Sequence, residues 1–364
     1  MKALIGMSGG VDSSVAALLM QQAGFECIGA TMRLYAGQVE APNGAKTCCS
    51  LDDVEDARSV ARRMGIPHYV FNFTEEFYAD VIDKFVDTYY SGGTPNPCID
   101  CNRYLKFGKL LQRARELGCG CVVSGHYAKV ERDGKTGRFL LKRAADRAKD
   151  QTYFLACLTQ EQLSMVRFPL GELTKEQVRR IAEEHGFVTA RKHDSQDICF
   201  VPGGDYTAFL EKYTGKKLTP GDYLDQNGCP VGRHRGAVCY TIGQRKGLRL
   251  ALGAPVYVCG KDMAANTVTV GPNEALFSSS LLADGWVWYP FEALTEPMRV
   301  TAKIRHSQYD RPATVFPEAD GRARVVFDEP QRAISPGQAV VLYSGDTVVG
   351  GGTIIRAGAE SPTI

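Results

Sequence analysis

Ala3-Leu4-Ile5-Gly6-Met7-Ser8-Gly9-Gly10-Val11-Asp12-Ser13-Ser14 is the stretch on which the reading of this chain turns. The apolar run over residues 3–7 reads as a short buried strand. Val15, Leu18, Leu19 and Ala23 then recur at helical spacing until Gly24 stops the helix. Between strand and helix, paired glycines let the backbone turn tightly, so that successive N–H groups can converge on an anion. Ser13 and Ser14 offer a cap and hydroxyls, and the helix N-terminus adds positive partial charge. A serine-capped turn is the plain alternative, but strand, heptapeptide and helix together point to phosphate or pyrophosphate. The loop is not of the Walker type: Gly134-Lys135-Thr136 is the chain's Gly-Lys-Thr, and Lys129 stands where that motif needs its first glycine.

Outward from this loop, strand and helix patterns alternate. Strands are expected over residues 27–32, 69–71 and 121–124, and helices over 52–64, 77–89 and 174–185. That alternation predicts a parallel sheet covered on both faces, with ligands at the C-terminal ends of its strands. After about Gly204, and apart from a short helix near 206–213, the pattern becomes all-β: residues 253–258, 267–270, 299–304, 322–327 and 339–343 are short alternating runs between turns. The fold class expected is α/β, an N-terminal doubly wound parallel sheet followed by a small central domain and a C-terminal β-barrel, divided at 1–204, 205–280 and 281–364.

The 364 residues carry 43 Lys+Arg against 41 Asp+Glu, so net charge alone neither predicts nor excludes a nucleic-acid partner. No apolar stretch is long enough for a membrane span, and no signal-peptide pattern opens the chain, so a cytoplasmic protein is expected. The twelve cysteines are then read as buried apolar residues, metal ligands or reactive thiols rather than a disulfide framework.

Ser8-Gly9-Gly10-Val11-Asp12-Ser13 resembles the pyrophosphatase loop of enzymes that cleave ATP to AMP and pyrophosphate while adenylating a substrate. Further motifs narrow the resemblance: Cys48-Cys49-Ser50-Leu51-Asp52-Asp53, Pro95-Asn96-Pro97-Cys98-Ile99-Asp100-Cys101-Asn102, Gly125-His126-Tyr127-Ala128, Lys149-Asp150-Gln151, Asp194-Ser195-Gln196-Asp197-Ile198-Cys199-Phe200 and Tyr240-Thr241-Ile242-Gly243-Gln244-Arg245. In order and spacing they are similar to the tRNA-specific 2-thiouridylases of the MnmA type, over essentially the whole chain. The fold that this implies for the N-terminal domain is that of the adenine nucleotide alpha hydrolases.

The resemblance implies a set of roles. Gly6, Met7, Ser8, Gly9, Gly10, Val11, Asp12 and Ser13 would bind MgATP, with Asp12 orienting Mg2+ and with Met32 and Gly125 at the adenosine. Cys199 would carry the persulfide sulfur, and Cys101 would be its partner nucleophile or proton donor, the two pairing as a transient disulfide. Asn96, Pro97 and Cys98 would receive the flipped wobble uridine. His126, Lys149, Asp150, Gln151, Arg305, His306 and Gln338 would touch tRNA, although His306-Ser307-Gln308-Tyr309 departs from the commoner pattern. The expected partners are tRNAs with lysine, glutamate or glutamine anticodons and a sulfur-donor protein, a cysteine desulfurase or a relay protein.

Chemistry supports the cysteine assignment, since displacing an adenylated oxygen needs a strong nucleophile and a thiolate or persulfide is one near neutral pH. Cys98-x-x-Cys101 with Cys119-x-Cys121 also admits a zinc or iron–sulfur reading. Two basic runs, 129–149 and 233–249, suggest an RNA surface; a solvated face is the bland alternative. A small-metabolite synthetase, a non-catalytic RNA-binding protein and a metal-cluster thiolase are the rival functions.

Overall fold

A computed structural model describes residues 1–35, 51–192 and 198–358 of the chain. The motif residues Cys48, Cys49 and Ser50, and Asp194, Ser195, Gln196 and Asp197, lie outside the described residues.

The first half is built on a five-stranded parallel sheet. Its strands are β1 (Lys2–Gly6), β2 (Glu26–Arg33), β3 (His68–Asn72), β4 (Cys121–Val123) and the short Val166–Arg167, in the order β3-β2-β1-β4 with Val166–Arg167 at the far edge. Ala3, Leu4 and Ile5 are fully buried, as a central strand covered on both faces requires. Helix α1 (Val11–Gln22) follows β1 at once, and α2 (Leu51–Met64) precedes β3. Because β1 is central and its crossovers pack on both faces, the loop between β1 and α1 opens at the carboxyl edge of the sheet.

A helical run covers residues 97–116, made of Pro97–Asp100, a π-helical stretch Cys101–Lys109 and Leu110–Glu116. A widened register leaves backbone carbonyls in need of partners. Gln162 Nε2 supplies two bonds, to Phe107 O at 2.7 Å and Arg103 O at 3.1 Å. Cys101 therefore sits at the junction of an α-turn and a π-helix, a geometry that recurs at functional sites.

Beyond residue 204 a helix (Tyr206–Thr214) leads to a four-stranded sheet of Gly221–Leu224, Pro230–His234, Tyr257–Asp262 and Thr267–Gly271. The strand expected over 253–258 begins instead at Tyr257. Gly253 takes φ +75° and Pro255 has no N–H to give a ladder, so the chain is a loop until then. Six antiparallel strands, from Phe277–Trp288 to Thr347–Ala357, close into a barrel through the pairing of its first and last strands.

One connection was not foreshadowed by the strand and helix pattern. Lys129–Arg132 and Phe139–Lys142 form a hairpin that leaves the N-terminal half and joins the barrel sheet at Lys142 opposite Thr347. Arg138 fixes it by donating Nε to Tyr289 O at 2.7 Å and Nη2 to Trp288 O at 3.0 Å.

Candidate active site

The loop after β1 is built to present backbone. Gly9 takes φ +70°, and a Cβ there would lie 2.3 Å from Asp53 O, so no other residue fits without moving α2. Ser13 Oγ accepts from Ser8 N at 3.2 Å and donates to Gly10 O at 3.1 Å, which closes the loop on itself. No side chain caps α1, so its first-turn amides are not engaged by a cap and can meet an anion. Gly125, just past β4, comes so near that a Cβ would lie 2.6 Å from the Asp12 carbonyl carbon. Ser8, Gly10 and Asp12 are at least partly accessible along this loop, whereas the side chains of Met7, Val11 and Ser13 are buried beneath it, and Met32 is half-buried at the end of the neighbouring strand β2.

Two residues to which the sequence assigned no role meet Asp12. Lys175 Nζ donates to both carboxylate oxygens at 2.8 Å, and the buried Tyr127 donates its hydroxyl to Oδ1 at 2.8 Å. Lys175 opens the helix Lys175–Glu184, behind a Thr174–Gln177 capping box that aims this first turn at the loop. A lysine one residue past a capping threonine was the available sequence signal. One carboxylate together with phosphate oxygens is the donor set that suits Mg2+, and Asp12 offers that carboxylate. Among the described residues no three His, Cys, Asp or Glu side chains gather as a metal site.

A second missed group lies beneath the loop. Lys192 Nζ donates to Gly9 O at 2.8 Å, Asp53 Oδ1 at 2.6 Å and Asp56 Oδ2 at 2.6 Å. Burial alone would lower its pKa, but the bonds to the two carboxylates outweigh that and hold it above the ordinary lysine value.

Cys101 is buried in the main core cluster, and Cys199 is half-buried and packs against it. Cys98 is exposed, whereas Cys119 and Cys121 are buried at the sheet. The next residue after Cys199, Phe200, packs edge-to-face on Phe77 and Phe85 with ring centroids 5.7 and 5.0 Å away. Asn102, beside Cys101, donates Nδ2 to Phe154 O at 3.0 Å. His126 bonds Ser124 Oγ through Nδ1 at 2.7 Å and lies between Phe107 and Phe168. Burial first, then the charge of Lys106, lowers its pKa well below 6.5, so it is a neutral imidazole at neutral pH.

Asn96 lines a cavity of about 420 Å³ between the helical run 97–116 and the barrel, together with Asp100, Arg103, Tyr153 and Gly352. Cys98, Cys101 and Cys199 are not among its lining residues. Burial pushes the Asp100 carboxyl up to about 6, against the pull of Lys84 and Arg103.

Other expected tRNA contacts are engaged inside the protein. Asp150 is buried and accepts from Ala144 N at 3.0 Å and Thr152 Oγ1 at 2.6 Å. Gln151 Oε1 accepts from Tyr127 N at 2.9 Å. Gln338 Nε2 donates to Thr94 O at 3.1 Å and Pro95 O at 3.2 Å, and Arg305 Nη2 to Ala333 O at 2.7 Å. Gln338 thereby ties the barrel to the N-terminal half, and Arg305 reaches out of the barrel through Nη2 to Ile242 O at 3.4 Å. Lys149 is half-buried, and His306 is exposed with its ring 4.4 Å from that of Phe154. The basic run 129–149 is also largely spent internally: Lys129 pairs with Glu172, Lys142 with Glu131, Arg143 with Asp310 and Arg147 with Asp346. By contrast Arg233, Arg235, Arg245, Lys246 and Arg249 are all exposed.

Three family models match in series: a tRNA methyl transferase HUP domain over residues 1–203, a tRNA methyl transferase PRC-barrel domain over 207–272 and an aminomethyltransferase β-barrel domain over 278–354. The chain is 49% identical to the tRNA-specific 2-thiouridylase MnmA of Clostridioides difficile over 358 residues, 98% of each chain. It is 49% identical to that of Acetivibrio thermocellus over 97% of this chain and 99% of the other. With that of Moorella thermoacetica it shares 50% identity over 96% of this chain and 98% of the relative.

Proposed function

The chain belongs to the tRNA-specific 2-thiouridylase family, and on that premise we propose that it replaces O2 of the wobble uridine of tRNA with sulfur at the expense of ATP. The observation that carries the reading is the loop Ser8–Ser14 with Asp12, Lys175 and Tyr127 at one sheet edge, in a chain that also carries Cys101 in, and Cys199 against, the neighbouring core cluster. A phosphate-binding loop and two thiols suit ATP cleavage and sulfur delivery. A methyl transfer, which the family-model descriptions mention, has use for neither.

Gly6–Ser13 cradle the ATP phosphates, and Lys175 balances charge at Asp12, where Mg2+ would neutralise the departing pyrophosphate. The uridine O2 attacks the α-phosphorus and pyrophosphate leaves, so that O2 is carried as an adenylate. The base leaves its stack to reach this depth, next to Asn96, Pro97 and Cys98. The terminal sulfur of a Cys199 persulfide bonds to C2, the C2–O2 bond breaks, and AMP departs with O2. Cys101 then attacks the Cys199 sulfur bound to the transferred atom; the S–S bond to that atom breaks, 2-thiouridine is released, and Cys101 and Cys199 are left as a disulfide. A reductant of the thiol class and a persulfide donor protein reset the pair.

The recipient tRNAs are those with lysine, glutamate and glutamine anticodons. Residues 1–204 form the catalytic unit, 205–280 and 281–364 the units that extend the RNA grip, and the protein works in the cytoplasm. None of the helices among the described residues is long and apolar enough to cross a membrane.

The test is purified protein with MgATP, a sulfide or persulfide source and unmodified tRNA of these three kinds. The reading predicts 2-thiouridine at the wobble position with matching AMP and pyrophosphate. ATP cleavage that needs no tRNA would support the small-metabolite synthetase instead, and tRNA binding without either product would support the binding protein.

A further inference from the structure

We propose that the cavity between the helical run 97–116 and the barrel takes the uracil ring of the second anticodon nucleotide, with Asn96, Asp100 and Arg103 reading its imide edge. The inference deepens the proposed function and rests on its tRNA substrate.

The three polar side chains come from one side of the run. Asn96 stands just before Pro97, and Asp100 and Arg103 follow four and seven residues later, the spacing that aligns side chains along a helix. All three are half-buried and line the cavity. Among the described residues none of the three makes a side-chain hydrogen bond or an ion pair; Arg103 has only a ring contact, 5.9 Å from the centre of Tyr104. Their neighbours are spent: Lys84 Nζ lies 3.6 Å from the centre of the Tyr104 ring, and Thr88 Oγ1 donates to Lys84 O at 2.7 Å. A carboxyl that burial penalises and no hydrogen bond repays, as at Asp100, costs stability until a ligand meets it.

The opposite wall is bare backbone. Gly337, Gly351 and Gly352 line it from the barrel, and a Cβ at Gly351 would lie 2.5 Å from Ala156 O. The space, about 420 Å³, is of ligand-site size, and a planar ring fits between the polar side and this flat wall.

In chain order the polar groups are a carboxamide, a carboxylate and a guanidinium, which offer donor, acceptor and donor. The imide edge of uracil is the complement: a carbonyl, an N–H and a carbonyl. Cytosine puts an acceptor at N3, where the carboxylate needs a donor. Bases splayed out of single-stranded loops are read on this edge. Cys101 and Cys199 do not line the cavity, so the base it holds is not the one that reacts. Asn96 belongs both to the cavity and to the stretch assigned to the wobble uridine, which makes the occupant an adjacent nucleotide. Lysine, glutamate and glutamine codons share adenosine in the middle, so the proposed recipients share uridine at the second anticodon position and differ at the third. A site that reads the second position selects this set.

The experiment measures binding of wild type, D100N and R103M to a lysine-type anticodon stem-loop, unchanged or with cytidine at the second position, the wobble position or the position before it. Formation of 2-thiouridine is followed on full-length tRNAs with the same changes. Wild type should bind second-position uridine at least about tenfold more tightly than cytidine. D100N should bring that ratio to about threefold or less, since an amide serves either base, and R103M should narrow it from the donor side. No second-position preference in wild type, a full preference kept by both variants, equal weakening on every RNA, or an effect of D100N at either other position would each overturn the proposal. Those results alongside normal thiolation would sink the cavity assignment alone. The predicted binding pattern without any 2-thiouridine would sink the thiolation reading and leave the cavity assignment standing.

Discussion

The Lys175 ammonium holds both oxygens of the Asp12 carboxylate at 2.8 Å, across a sequence gap that spans most of the N-terminal half. A phosphate loop that carries its own carboxylate would repel the triphosphate it binds unless cations balance it. Lys175 supplies one such charge from the protein, and its position at the loop lets it follow the charge that develops on the leaving pyrophosphate. K175M should therefore lower the rate of pyrophosphate release by about a hundredfold while tRNA affinity is unchanged. Quench-flow with labelled ATP checks it; a loss confined to tRNA binding would place Lys175 elsewhere in the reaction.

The two thiols should separate binding from chemistry. C101S and C199S are each expected to abolish multiple-turnover thiolation while binding tRNA as the wild type does. C101S should retain adenylate formation, because the thiol acts after that step. Full activity in either serine variant would remove that cysteine from the mechanism.

Asp100 predicts a pH dependence of stability. Its carboxyl is raised from 3.8 to about 6 in the folded chain, chiefly by burial. The native state therefore holds the proton more tightly than the unfolded one, so the associated stability is full below about pH 4 and is lost as the pH rises through about 6. D100N removes this loss and should be more stable than wild type at neutral pH by about 3 kcal/mol, with the difference vanishing near pH 4. Denaturation curves of both proteins across this range decide it; parallel curves at every pH would contradict the assignment.

The exposed basic residues of 233–249 make the RNA contribution measurable. The triple variant R245A/K246A/R249A should weaken tRNA binding without sequence preference and lower the dependence of log affinity on log salt by about 2. A similar triple change in 129–149 should instead loosen the barrel, because Arg138, Arg143 and Arg147 are bonded to it. Filter binding against salt, with thermal melts alongside, separates the two runs.

What the sequence disclosed follows from the range of the interactions. The loop 8–14 was legible because its demands are local: a positive φ at Gly9, a hydroxyl at Ser13 and a helix start at Val11. The parallel sheet was legible because buried strands such as β1 are continuous apolar runs. Lys175, Tyr127 and Lys192 were not, since each acquires its meaning from a carboxylate far away in the chain. The ion pairs of the run 129–149 were hidden for the same reason, as charge in sequence does not reveal whether Asp310 or Asp346 will fold against it. The strand Phe277–Trp288 went unread because Ser280–Ala283 are all buried and the register shifts after Asp284, so the strand shows no in–out alternation.

The central claim is that O2 of the uridine leaves on AMP, and oxygen-18 at that position of a tRNA substrate tests it most directly. A single turnover with MgATP and persulfide-loaded protein, followed by mass spectrometry of the AMP, should find one labelled oxygen in AMP for each 2-thiouridine formed. Unlabelled AMP accompanied by full thiolation would show that O2 is never adenylated and would contradict the account.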